Sequence, residues 1–280
     1  MPSSPELATL QFCVTCGTQF PAATLLPANC PICDDTRQYL PPGGQQWISA
    51  SELQRDHRNA FQYEAPNLLG IGTTPSFAIG QRALLVRSAA GNVLWDCISL
   101  IDAATRDLIT ALGGVSAIAI SHPHYYSAMV EWSQAFGGVP IYLHEADRLW
   151  VMRPDPAIRF WSGDSLVMGD EMTLLRCGGH FAGGTVLHWS AGARGRGALL
   201  SGDIVQAIPD PRYVSFMYSY PNLIPLPASA VRRIVATLEP FAFEELYGAW
   251  WGRVVRGDAH RVVRESGRRY INALNDAAEP

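Results

Sequence analysis

At 280 residues the chain is long enough for one large domain, or for a large domain with a small appendage. With 48% hydrophobic and 16% charged residues and a mean hydropathy of +0.04, its composition is that of a folded globular protein and excludes an extended disordered chain. A net charge of −4 and a pI near 6.0 give no global attraction to nucleic acid or anionic lipid, and all 21 basic residues are arginine, which excludes a lysine nucleophile or Schiff base.

The first 45 residues differ in character from the rest, holding two C-x-x-C pairs, many prolines and the Pro41-Pro42-Gly43-Gly44 stretch that breaks regular structure. A small segment over 1–45 and one larger domain over 46–280 follow. Cys13 and Cys16 are separated by thirteen residues from Cys30 and Cys33, so two turns each present two thiolates to a tetrahedral ion, for which zinc is the natural choice. The segment has too few apolar residues to fold alone, and a metal would stand in for a core. Four thiolates leave no open coordination position, so this site is structural and any chemistry lies elsewhere. Cys97 and Cys177 stand alone in apolar runs and are expected as buried core thiols.

Apolar runs at 76–88 and 92–101, separated by Ala89-Ala90-Gly91, predict two strands joined by a turn. Residues 103–112 predict a helix closed by Gly113-Gly114, feeding a buried strand over 115–120. A helix over 129–136, a strand over 139–143, a helix start at 145–151 and a hairpin over 165–176 continue the alternation. Strands at 186–189, 198–201 and 244–247, a helix over 228–238 and a long terminal helix over 253–274 complete it. Mixed sheets covered by helices are implied.

Ser121-His122-Pro123-His124 follows directly on the run 115–120, placing two imidazoles at the carboxyl end of a strand. Gly178-Gly179-His180 follows the β run ending at 176, and Gly202-Asp203 follows the strand 198–201 in the same manner. A lone histidine is more often a core or surface residue than a ligand. Here order and context point to a metal centre assembled from strand ends.

Asp96 in LWDC, the H-P-H of His122 to His124, the GGH at His180 and the SGD at Asp203 resemble, in order and spacing over roughly residues 65–255, the metallo-β-lactamase fold superfamily. That family's pattern runs from a supporting Asp through H-x-H-x-D-H, a Gly-His and a Gly-Asp to a late histidine. The resemblance implies an α+β chain folded as an αββα sandwich with metal at one edge, here preceded by a small zinc ribbon. It further implies His122, His124 and His180 as metal ligands, Asp203 as a fourth ligand or as general base, and Asp96 as the support of the histidine loop, holding an imidazole by its other N–H. Two positions depart from the pattern: Tyr126-Ser127 stand where the family has Asp-His, and Gly248-Ala249-Trp250 where it has its late histidine. The departures remove what look like second-metal ligands and leave a mononuclear site. Zinc on three protein ligands keeps a position open for water and lowers its pKa to about 7. Tyr126, beside the metal, has a phenol able to donate to an oxyanion or a leaving group, or simply to pack.

The expected function is a metal-dependent hydrolase with a mononuclear zinc centre. Small esters, lactones or thioesters are the expected substrates, since the aromatic-rich segments 150–161, 213–220 and 250–251 are suited to walling an apolar pocket. Two other readings stand beside it. One is a mononuclear iron dioxygenase of persulfide type, whose two histidines and aspartate His122, His180 and Asp203 imitate. The other is a catalytically decayed binding or scaffold protein that docks through its ribbon, against which the retention of four costly polar groups argues. A nuclease is disfavoured despite six arginines between 253 and 269, because phosphodiester cleavage in such enzymes uses two metals and the chain is acidic. The expected cofactors are one structural and one catalytic Zn²⁺, with iron the alternative at the catalytic site. The expected partner is a small-molecule substrate, with neither nucleic acid nor membrane. His57, His144, His188 and His260 are expected to be structural, His260 being the best outsider for a replacement ligand. The start, MPSSPELATLQF, lacks a basic region followed by an apolar run, and the paired cysteines suit a reducing compartment, so a cytoplasmic protein is expected.

Overall fold

The structure, a computed structural model, describes residues 10–22 and 27–275. The start that was read for targeting signals therefore lies largely outside the described residues. The chain divides into two units, Met1–Leu143 with Arg148–Phe160, and His144–Asp147 with Trp161–Pro280.

The first unit opens on a three-stranded antiparallel sheet of β1 (Gln11–Cys13), β2 (Gln19–Phe20) and β3 (Trp47–Ser49), in the order β2-β1-β3. Its third strand comes from just beyond the proline-glycine stretch. The short helix α1 (Pro31–Asp34) carries proline in its first turn, where the missing N–H has no helical partner to lose. The helix α2 (Ala50–Asp56) starts at a capping box: the Ser49 side chain accepts from the Glu52 N–H while the Glu52 carboxylate accepts from the Ser49 N–H. Such a cap stabilises a helix by about 1 kcal/mol.

A seven-stranded sheet follows, built from β4 (Arg58–Ala65), β5 (Leu68–Thr74), β6 (Arg82–Val86), β7 (Val93–Trp95), β8 (Ala117–Ala119), β9 (Ile141–His144) and β10 (Ile158–Trp161), in the order β10-β9-β8-β7-β6-β5-β4. Strands β4 to β7 form an antiparallel meander, whereas β7, β8 and β9 run parallel. Parallel neighbours need crossovers, supplied by α3 (Ala103–Ala111) and α4 (Met129–Ala135). Asp102 caps α3 by accepting from the Thr105 N–H at 2.7 Å. The β4–β5 hairpin is absent from the pattern read above, because β4 (RNAFQYEA) is mostly exposed and its apolar residues scarcely alternate.

In the second unit β11 (Ser165–Val167), β12 (Met172–Arg176), β13 (Thr185–Trp189) and β14 (Ala198–Gly202) run antiparallel in sequence order. Two small hairpins follow, β15 (Gln206–Ala207) with β16 (Val214–Ser215) and β17 (Met217–Ser219) with β18 (Ile224–Pro225). After α5 (Ala228–Leu238), β19 (Glu245–Gly248) lies parallel to β14 and β20 (Val254–Arg256) antiparallel to β19, completing a six-stranded sheet. The chain closes with α6 (Ala259–Leu274). The single terminal helix expected over 253–274 is thus corrected. Gly257 and Asp258 take φ of 78° and 53°, breaking helical geometry, and the residues before them pair with β19 instead.

The core of this unit packs Ala230, Val231, Ile234 and Leu238 of α5 and Val262 and Val263 of α6 with Leu175, Val186, Leu199 and Leu246 of the sheet. Full burial of each branched side chain contributes about 1.5–3 kcal/mol. That packing holds the ends of β12 and β14, from which the Gly-His and Gly-Asp segments emerge. Among the described residues, no helix is long and apolar enough to cross a membrane.

Candidate functional site

Among the described residues two groups of metal-competent side chains form, Cys13, Cys16, Cys30 and Cys33, and His122, His124, His180 and Asp203. All eight residues are buried, and within each group the ligand atoms lie within 4.8 Å of one another.

The cysteine group is built by the turn between β1 and β2 and by the turn that opens α1. The Cys13 carbonyl accepts from the Gly17 N–H at 2.8 Å, and the Cys30 carbonyl accepts from the Cys33 and Asp34 N–H groups at 3.0 Å. Each turn so folded brings two thiols to one side. Cys13 Sγ lies 3.5 Å from Cys33 Sγ, and Cys16 Sγ 3.7 Å from Cys30 Sγ. These spacings exclude disulfides, whose sulfurs are about 2.05 Å apart. They match the edge of roughly 3.8 Å expected for sulfurs set tetrahedrally about 2.3 Å from zinc. Gln45 braces the group, donating through Nε2 to Cys13 Sγ at 3.2 Å while its Oε1 accepts from the Cys30 N–H at 3.0 Å. Hydrogen bonds from Cys16, Cys30 and Cys33 hold the Cys13 thiol far below the usual thiol range, and the bond to Cys13, aided by burial, pushes Cys16 and Cys33 up. The donor set fits a thiophilic divalent ion and is closed to substrate. The other two cysteines are buried thiols as expected, with burial pushing Cys97 well up and Cys177 up to about 12.

His122 and His124 leave the end of β8 in a 3-10 turn, Pro123–Tyr125, with their ring centroids 5.0 Å apart. Asp96, itself in the left-handed region at φ 60°, accepts from the Ser121 N–H at 2.7 Å, so it reaches the histidine loop through backbone. Ser121 Oγ lies 2.9 Å from His122 Nδ1 and fixes that ring. Tyr126 follows at the end of the turn, buried, its N–H donating to the Pro123 carbonyl. At Ser127 the hydroxyl accepts from Gln81 Nε2 at 3.0 Å.

His180 is delivered by Gly178-Gly179 after β12. Gly179 has φ 86°, and a Cβ there would meet Ile234 Cδ1 at 3.0 Å and Leu226 Cδ1 at 3.1 Å, so the approach of this loop to α5 requires glycine. His180 Nδ1 lies 2.8 Å from the Tyr218 carbonyl and 3.2 Å from that of Met217. Carbonyls only accept, so Nδ1 carries the proton and Nε2 presents its lone pair. That Nε2 lies 3.9 Å from Asp203 Oδ2. Asp203 sits on a turn pinned by Ser201 Oγ, which donates to the Val205 carbonyl at 2.6 Å, and by Tyr220 OH, which donates to the Asp203 carbonyl at 2.8 Å. Burial, with the nearby Asp203 charge, pushes the Tyr220 phenol well up and keeps it a donor.

Ser121, Ser201, Tyr220 and the 217–218 carbonyls are supports that the sequence reading missed, and only the serines adjacent to the His and Gly-Asp segments offered any signal. The remaining histidines each donate to, or lie within hydrogen-bond distance of, a backbone carbonyl: His57 with Pro75, His144 with Gly163, His188 with Ala242 and His260 with Glu239.

No family model matches the sequence. A protein of Bacillus subtilis (strain 168), the uncharacterized protein YmaE, is 50% identical over 265 residues, spanning 94% of this chain and 96% of its own. Among solved structures, VMB-1 superposes with a TM-score of 0.58 at 12% identity, over 78% of this chain and 98% of its own. The DIM-1 metallo-β-lactamase gives 0.56 at 12% identity, over 77% and 98%. A B3 metallo-β-lactamase with an active-site glutamic acid gives 0.51 at 16% identity, over 83% and 97%. At these identities the likeness is one of fold.

Proposed function

This chain belongs to the same family as YmaE and has the metallo-β-lactamase fold, and from that premise we propose that it is a metal-dependent hydrolase with a mononuclear zinc centre. One observation carries the reading: three imidazoles and one carboxylate, all buried, gather on that fold with their ligand atoms within 4.8 Å. This donor set suits zinc, which when bound there would supply a Lewis acid and a water activated at neutral pH.

The chain's own residues supply the rest. His122, His124 and His180 would hold the ion, with the Nδ1 of His180 already engaged by the Tyr218 carbonyl and its Nε2 left for the ion. Asp203 completes the ligand set or takes the proton of the attacking water. The Tyr126 phenol donates to the oxyanion or leaving group. The absence of a second metal is supported at Ser127, whose hydroxyl is engaged by Gln81 in the position where the resembling family carries a histidine. The cysteine group would hold a separate, structural zinc. Small esters, lactones or thioesters are the proposed substrates, and a reducing compartment such as the cytoplasm suits its free cysteines.

Elemental analysis of natively produced protein, with a panel of esters, lactones and thioesters, tests the reading. Zinc at both groups together with turnover on any member of the panel is the expected result. Iron with oxygen consumption would overturn it in favour of the persulfide-oxidising alternative, and inactivity of zinc-loaded protein across the panel would overturn the substrate class.

A further inference from the structure

The chain that follows the first cysteine pair is hydrogen-bonded to the end of the histidine loop. The turn closing the first cysteine pair runs from Cys16 through Gly17 into β2. Gly17, at φ 79°, offers its carbonyl to Ser99 Oγ at 2.8 Å, and a Cβ there would sit 2.4 Å from that same oxygen and 3.1 Å from Ala78 Cβ. No side chain fits between the knuckle and this surface. Two residues on, the Gln19 N–H donates to the carbonyl of Ser127 at 3.2 Å. Ser127 ends the histidine loop in a strained backbone at φ 36°, and Gln81 holds its hydroxyl from the other side at 3.0 Å. The Gln19 side chain takes part as well, because Arg153 donates to it and to Glu131 on α4, the helix that continues from the loop. The knuckle therefore grips both the exit of the loop and the helix after it.

We propose that the metal-filled cysteine knuckle is a positioning element for His122 and His124: its Gly17–Gln19 turn, seated on Ser99, clamps the loop at Ser127 and the helix after it through the Arg153–Glu131 pair. Filling of the thiolates thereby sets how tightly the histidine group holds its own ion. The physical reason is pre-organisation. A loop with a left-handed serine persists in one conformation only where its surroundings over-determine it, and a turn folded around four metal–sulfur bonds is a rigid surface to lean on. The inference rests on the proposed metal at the histidine group, but the grip on the loop is separately measurable.

Gly17→Ala displaces the clamp while keeping all eight ligands, and Ser99→Ala removes only its hydroxyl, as a milder second variant should the first fail to fold. Each is loaded with cobalt, so that sulfur-to-metal charge-transfer absorption reports the knuckle and ligand-field bands report the histidine group. Amide exchange at Tyr125, Tyr126 and Met129 reports the loop itself. The expected result is an intact thiolate signature, faster exchange at those amides, and affinity for cobalt at the histidine group weakened about 10- to 100-fold in Gly17→Ala and several-fold in Ser99→Ala, as for other supports behind metal ligands. An intact thiolate signature with unchanged exchange overturns the clamp. So does faster exchange with unchanged affinity. If the wild type binds no cobalt at its histidines, the proposed function fails, while the exchange measurement still decides whether the knuckle grips the loop.

Discussion

The two buried ligand groups of this chain are assembled in opposite ways. The cysteine knuckle draws its four donors from two tight turns within one stretch of chain, and their sulfurs already stand near tetrahedral spacing. The histidine group draws its donors from three separate strand ends, so its geometry depends on sheets and on a layer of supports behind each ligand: Ser121 behind His122, the 217–218 carbonyls behind His180, Tyr220 and Ser201 behind Asp203. The first is closed by its own ligands and serves the fold. The second mixes imidazole with carboxylate, which leaves room for chemistry. A local site is specified by spacing, a distributed one by the fold.

The contrast is most exposed to a ligand deletion. His124→Ala should remove the metal of the histidine group and lower hydrolysis about a thousandfold, the several kcal/mol a Lewis acid supplies, while elemental analysis still finds the knuckle's ion. Loss of both metals together would mean that the two groups are not independent. Cys16→Ser should do the reverse to stability, losing the knuckle's ion and lowering the melting temperature by about 10 °C, since structural metal binding is folding energy. An unchanged melting temperature would mean that the sulfurs contribute packing alone. Tyr220→Phe deletes one hydrogen bond to the Asp203 turn, for a loss of about 1 kcal/mol in thermal or denaturant unfolding, with a weakened histidine-group ion and an untouched knuckle.

The smallest effect concerns an imidazole outside both groups. Burial holds His144 below its ordinary value of 6.5, so the unfolded chain takes up this proton first as the solution is acidified. The stabilisation is present above that value and is lost as pH falls below it. His144→Gln should flatten the fall in melting temperature between neutral and mildly acid pH by a modest amount.

Both groups were legible in the sequence because their signals are short-range: the two C-x-x-C pairs, and a His or Asp placed directly after a strand or a glycine. The α3 and α5 helices were legible for the same reason, through the Gly113-Gly114 stop and a helical apolar pattern. What escaped was carried by backbone or by distance. The carbonyls that orient His180 leave no trace in residue identity. The bond from Ser99 to Gly17 joins residues 82 apart and neither is a conspicuous type. The β4–β5 hairpin alternates too weakly to stand out, and the arginine-rich stretch after 253 reads as one helix until Gly257-Asp258 turns it.

The two isolated thiols have a practical consequence. Cys97 and Cys177 are fully buried and their proton loss is pushed upward, so neither offers a thiolate to an alkylating or disulfide-exchange reagent near neutral pH. In the folded protein a chromogenic thiol reagent therefore counts one thing, the opening of the ribbon. Its colour, followed as a chelator is added, would time the release of any ion that the four sulfurs hold, read against a silent background.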